Sequence, residues 1–226
     1  MSAALQSRPS LYSTSVGKKY AMAISGVLLM VYVLLHMLGN LKFYFGAESL
    51  ARYSEWLREI GEPALPRSTM LWAARVILLA AFAVHIHAAY QLTMINRRAR
   101  ADAYRSKRDY VVADFASRTM RWTGVIVLLF VIFHLLDLTL GPANPDFVSG
   151  DPYHNLIASF ERTPVALAYI VANLALGVHL YHGAWSLFQS LGFVFPWRRA
   201  FAIAFTAIVV AGNVSFPLAV MTGVVD

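Results

Sequence analysis

Apolar residues in this chain come in long blocks, not in short alternation. Five blocks of about twenty or more such residues fall at roughly 20–45, 70–96, 119–141, 164–191 and 199–222, and about 20 residues suffice for a helix to cross a bilayer. Short charged or Pro/Gly-bearing stretches separate them. The pattern predicts an all-α integral membrane protein: a bundle of five transmembrane helices, with residues 1–226 forming one domain. Between the first two blocks the period changes. Leu50, Tyr53, Leu57 and Ile60 share a helical face, with Arg52, Glu55, Arg58 and Glu59 elsewhere, so Ala47 to Gly61 reads as a short amphipathic helix on the outer surface. The run from Gly141 to Pro145 ends the third block, and His154 beyond it reads as a solvated loop residue. The first nineteen residues are polar and the first apolar run is long, so no cleavable signal peptide is expected.

Four histidines interrupt the first four blocks at matching registers. Ser25-Gly26 precedes His36 and Thr123-Gly124 precedes His134, each with ten residues from glycine to histidine. Val84-His85 and Val178-His179 are each followed four positions later by a small residue, Ala89 or Gly183. Spans one and two thus resemble spans three and four, offset by 98 residues at one histidine and 94 at the other. This is an internal two-helix repeat, an arrangement that often places a site at the repeat interface.

Helical rise sorts the same residues by depth. His36 lies about 24 Å, and His134 about 20 Å, from the inner entry of its span, whereas His85 and His179 lie about 21 and 22 Å below the outer starts of theirs. That gives an outer pair, His36 with His134, and an inner pair, His85 with His179. Ionisable groups inside a bilayer are costly and usually functional, and imidazole is the commonest biological metal ligand. Two pairs of inward imidazoles are what two bis-histidine haems require. Gly26, Gly124 and Gly183, with Ala88 and Ala89, leave room for flat macrocycles, although small residues also serve close helix packing alone.

Composition narrows the chemistry. The chain is 58% hydrophobic with no cysteine and a mean hydropathy of +0.56. Thiolate-held iron–sulfur clusters, covalent c-type haem and disulfides are thereby excluded. The net charge of +7 comes from residues that flank spans, so topology explains it and nucleic acid is not an expected partner. Thirteen Lys and Arg residues fall on the N-terminal side and five on the other, which predicts a cytoplasmic N-terminus and an external C-terminus. The basic loop from Arg97 to Arg121 is either a docking surface or a topogenic cluster.

Other polar residues leave choices open. His87 points nearly opposite His85, and His182 lies three residues after His179; both are alternative ligands, propionate partners or helix bridges. At the outer end, Asp137 follows His134 by one turn and Asn40 follows His36, with Lys42 and Tyr44 close by. Asp137 and Arg75, at similar outer depth, can simply pair.

With these histidines on four of five spans, the chain resembles the single-chain, di-haem cytochrome b membrane anchor of succinate dehydrogenase and fumarate reductase. The resemblance runs from Ser15 to span five and is carried by the run His36 to Leu41, by Gln91-Leu92-Thr93 through Asn96-Arg97, and by His179 to Gln189. The version resembles actinobacterial members. It implies a subunit that holds no succinate itself, completing succinate:quinone oxidoreductase in the respiratory chain and the tricarboxylic acid cycle. A flavoprotein and an iron–sulfur subunit are implied on the cytoplasmic face of a bacterial inner membrane, with two haem b and menaquinone or another quinone. The quinone so implied needs a titratable group near the last redox centre, which makes Asp137 a candidate proton carrier, and Ser25 and Arg121, with Lys19, Gln189 and Ser190, are inner-side candidates for a haem propionate or the quinone. By position, His85 and His179 hold the proximal haem and His36 and His134 the distal one. Ser117 and Arg121 resemble a quinone-binding serine–arginine pair of relatives with less haem. One departure stands out. Some fumarate-reducing members carry a glutamate two residues before the span-four ligand; here that position is Gly177, so no proton route through it is implied. Two other readings remain at this level: a di-haem cytochrome serving a hydrogenase or formate dehydrogenase, and a histidine-based proton channel or transporter.

Overall fold

The computed structural model describes residues 11–98 and 113–225, the side chains of 113–118 excepted. Arg100, Arg105, Lys107 and Arg108 of the basic loop, with any docking role, lie outside the described residues, as do the side chains of Ser117 and Arg118.

Among the described residues there are seven α-helices and no strand. They are α1 (Ser15–Asn40), α2 (Ala47–Glu59), α3 (Thr69–Arg98), α4 (Ala113–Leu138), α5 (Pro152–Phe160), α6 (Thr163–Leu191) and α7 (Arg198–Met221). Five of them, α1, α3, α4, α6 and α7, are long and apolar enough to cross a membrane. This is the multi-pass helical membrane protein that the hydrophobic blocks predict.

Local chemistry sets the ends. Thr14 caps α1 by accepting the Gly17 N–H through its side chain, which satisfies a donor the helix cannot. The first helix therefore begins before Tyr20, and it ends at Asn40, where the chain tightens into a 3-10 turn over Leu41–Phe45. The third long helix stops at Leu138, and Gly141 turns the chain with a φ of +96°, which glycine adopts at little cost. Span three thus ends earlier than its hydrophobicity suggests.

The outer connection after α4 is not a plain loop. Asp151 accepts the His154 N–H and Pro152 opens α5, a helix start built from an acidic cap and a proline in the first turn. His154 therefore sits on a helix, its Nε2 2.9 Å from the Asp146 carbonyl. It is exposed, as the sequence led us to expect, but it belongs to a helix and not to a loop. Phe43, Leu50, Phe160, Ala166, Tyr169 and Phe216 then form an apolar core joining α2, α5, α6 and α7 with the Leu41–Phe45 turn.

The long helices pack as two pairs, α1 with α3 and α4 with α6. α7 lies along α6 and also touches α1. Small residues let these helices approach: Ala166, Ala184, Ala202 and Val209 are fully buried. Neither α1 with α4 nor α3 with α6 packs closely. The space between the two pairs is where the histidines lie.

Candidate functional site

His36 on α1 meets His134 on α4 with ring centroids 5.9 Å apart, nearly perpendicular. His85 on α3 meets His179 on α6 at 6.3 Å. Both contacts cross between the helix pairs, and both join the residues that repeat and depth had paired. A metal–imidazole bond of about 2 Å on each side, plus the ring radii, sets two centroids about 6 Å apart. The spacing therefore fits a bis-histidine metal at each level.

The inner histidines are held alike. The Nδ1–H of His85 donates to the Met22 carbonyl at 3.1 Å, with Ser25 Oγ at 3.4 Å. Thr123 Oγ1, which donates to the Met120 carbonyl, lies 3.5 Å from His179 Nδ1. Met22 and Met120, like Ser25 and Thr123, are 98 positions apart, so the repeat governs the supports as well as the histidines. Occupying Nδ1 leaves Nε2 for a metal, the usual way in which an outer partner orients a ligating imidazole. Gly26 and Gly124 share in this: a Cβ there would stand 3.3 Å from Cε1 of His85 and 3.6 Å from Cε1 of His179. These two glycines thus lie against the histidine rings, whereas at Gly183, the third of the set, a Cβ would meet nothing within 4 Å. Ser25, expected at a propionate or a quinone, is buried behind His85, while Arg121 is exposed.

The outer histidines are held differently. Tyr32 stacks on His36 at 5.3 Å, and the Asn40 amide lies 3.4 Å from its Nε2. Beside His134 Nδ1, at 3.5 Å, is the Tyr169 hydroxyl, which donates to Asp137 Oδ2 at 2.9 Å. Ser159 donates to the same oxygen, and Arg162 Nη2 to Oδ1 at 2.5 Å. Asp137 is fully buried. Its cation is Arg162, not Arg75, whose guanidinium lies over the Trp72 ring. Asp137 was legible as an outer polar group, but Arg162, Ser159 and Tyr169 were not. They come from a turn, a short helix and the outer end of span four, and no local spacing ties them to His134.

His87 faces away from the paired rings, with Tyr12 Oη 2.7 Å from its Nδ1 and the Gln91 amide 3.4 Å from its Nε2. His182 is buried against Tyr181, and its Nδ1 has no hydrogen-bond partner among the described residues. At position 177 a Cβ would come within 2.6 Å of Val210 on α7. The position at issue in fumarate-reducing relatives is here a helix-packing contact.

Residues 94–217 match the family described as succinate dehydrogenase/fumarate reductase transmembrane subunit. That stretch includes His134 and His179 and stops short of His36 and His85. No curated protein and no solved structure matches the chain.

Proposed function

We infer, for a chain that belongs to the succinate dehydrogenase/fumarate reductase transmembrane-subunit family, that it is a di-haem anchor carrying electrons from an iron–sulfur partner to a quinone. The observation that carries this reading is the pair of imidazole contacts, 5.9 and 6.3 Å between centroids, at two levels between the helix pairs. The family itself favours a succinate or fumarate enzyme over a hydrogenase or formate dehydrogenase partner, and over a proton channel.

Haem b, bound between each pair, supplies reversible one-electron chemistry. His36 and His134 would hold the outer group, and His85 and His179 the inner one. The chain's own contribution is orientation. The Met22 carbonyl holds Nδ1 of His85 and Thr123 lies beside Nδ1 of His179, which leaves Nε2 of each for the haem, while the apolar core around Phe43 and Phe160 closes the outer end. Arg121, Ser117 and Lys19 remain proposals for propionate or quinone contacts on the inner side.

For the quinone, the outer end offers an open groove of about 490 Å³ whose lining is mixed: Phe45, Tyr53 and Trp56 beside Lys42, Ser49 and the exposed Arg52–Glu48 ion pair. Tyr53 lies against Gly39, three residues beyond His36, which places this groove beside the outer pair. Asp137 belongs to this reading as a proton carrier if Asp137→Asn stops quinone reduction while both haems remain.

Purified protein from haem-replete cells should show reduced α and Soret bands and two haems per chain by pyridine haemochrome. Replacing His36, His85, His134 or His179 singly should remove one haem of two, whereas His87→Ala and His182→Ala should retain both. A colourless wild-type preparation, or full haem in all four variants, sinks the reading.

A further inference from the structure

We propose that Tyr169 is a positioning residue for His134: its hydroxyl, aimed by Asp137, accepts the Nδ1–H and commits Nε2 to the metal. The proposal rests on the reading that His134 is a haem ligand. Its geometry stands apart from the inner site. There the groups at Nδ1 are neutral: the Met22 carbonyl for His85, and for His179 the Thr123 hydroxyl, 3.5 Å away. At His134 the nearby acceptor is a phenol oxygen, 3.5 Å from Nδ1, whose own proton is committed to a buried carboxylate 2.9 Å away.

The direction of that chain of bonds follows from the donors. Asp137 is fully buried and receives Ser159 on Oδ2 and Arg162 on Oδ1. A carboxylate so placed only accepts, so Tyr169 must donate to it. With its proton pointing at Asp137, the phenol turns a lone pair toward His134. Nδ1 then carries the hydrogen and Nε2 is bare. Arg162 is itself tied to the Ala143 and Ala158 carbonyls, so the line from Arg162 to His134 is anchored to backbone at its far end.

Two consequences follow. Bonding through Nδ1 makes an imidazole a more basic ligand, which favours oxidised over reduced iron, and hydrogen bonding around an axial ligand is one lever on haem potential. Tyr169 is the hydrogen-bonded link between that carboxylate and His134. Moreover, Ser159 and Tyr169 compete for the same carboxylate oxygen, so removing the serine strengthens the tyrosine's bond.

The experiment is a redox titration of the full chain with its partner subunits, following both haems by absorbance and by their low-spin electron paramagnetic resonance signals. Tyr169→Phe should keep two haems, raise the midpoint potential of the outer one, shift its signal and leave the inner haem unchanged. Ser159→Ala should move the outer potential the opposite way, downward. A cluster that merely stiffens the outer end would give shifts of one sign in both variants, and that result overturns the proposal. So do two bound haems with wild-type potentials in Tyr169→Phe. Should that variant fail to accumulate, Ser159→Ala decides alone: a downward shift supports the assignment, and no shift or an upward one overturns it. A wild-type chain with no haem at the outer pair overturns the proposed function together with this assignment, and haem stoichiometry reveals it before any variant is made.

Discussion

Gly26 and Gly124 occupy equivalent places in the repeat, yet they are not equally tolerant. A methyl group at Gly124 meets His179 Cε1 at 3.6 Å, an ordinary van der Waals distance, whereas at Gly26 it meets His85 Cε1 at 3.3 Å. His85 would have to move by a few tenths of an ångström, and its bond to the Met22 carbonyl constrains that movement. Gly26→Ala should therefore weaken the inner haem, seen as substoichiometric haem after detergent exchange, while Gly124→Ala should hold wild-type haem. Equal loss in both variants would show that the glycines serve something other than these rings. Asp137 sets a different problem at the same scale. Truncating the cation of a buried pair leaves an uncompensated charge and typically costs about 3–5 kcal/mol. Arg162 is partly exposed, so Arg162→Ala should fall toward the lower end of that range, measured as a drop in the thermal unfolding temperature in detergent.

At the level of helices, α7 is more than a flank. Its Val210 presses on Gly177 of α6, and its Gly212 receives the Met37 side chain of α1, one residue from His36. A side chain at position 177 must displace α7 or distort α6. Overpacking of this kind costs about 1–3 kcal/mol, and a carboxylate with no hydrogen-bond partner would add desolvation. Gly177→Glu should consequently lower expression and thermal stability, without creating a proton route. Wild-type stability in that variant would mean that α7 packs elsewhere. The five long helices were legible because apolar length alone specifies them, and the histidine pairs because a 98-residue and a 94-residue offset repeat in the sequence. Helix α5 was not read, although Asp151-Pro152 is a helix start, because nine residues carry too short a hydrophobic pattern beside a Gly/Pro-rich turn. The Met22 support was illegible for a deeper reason: it acts through a backbone carbonyl, which no side-chain pattern announces. Arg162 and Ser159 reach Asp137 only after α5 folds back over α4, a long-range event with no local signal.

Over the whole molecule the two histidine levels are chemically unequal, and the charge balance of the sequence predicts which one faces which compartment. Thirteen cationic residues lie on the side of the N-terminus and five on the other, and a cytoplasmic excess of Lys and Arg orients a multi-pass chain. The inner pair, resting on neutral groups, would then lie toward the cytoplasm, where the iron–sulfur partner delivers electrons. The outer pair, with the charged cluster behind His134 and the groove at Lys42 and Tyr53, would face away. The native chain has no cysteine, so one introduced thiol reports its side without background. Val194, between α6 and α7, is 97% exposed, and Thr222 stands just past the end of α7. On intact cells a membrane-impermeant maleimide should label Thr222→Cys and spare Val194→Cys, and opening the cells should expose the second. The reverse pattern would turn the molecule over, placing the inner pair and its proposed electron donor on opposite sides of the membrane, and the anchor reading would fail with it.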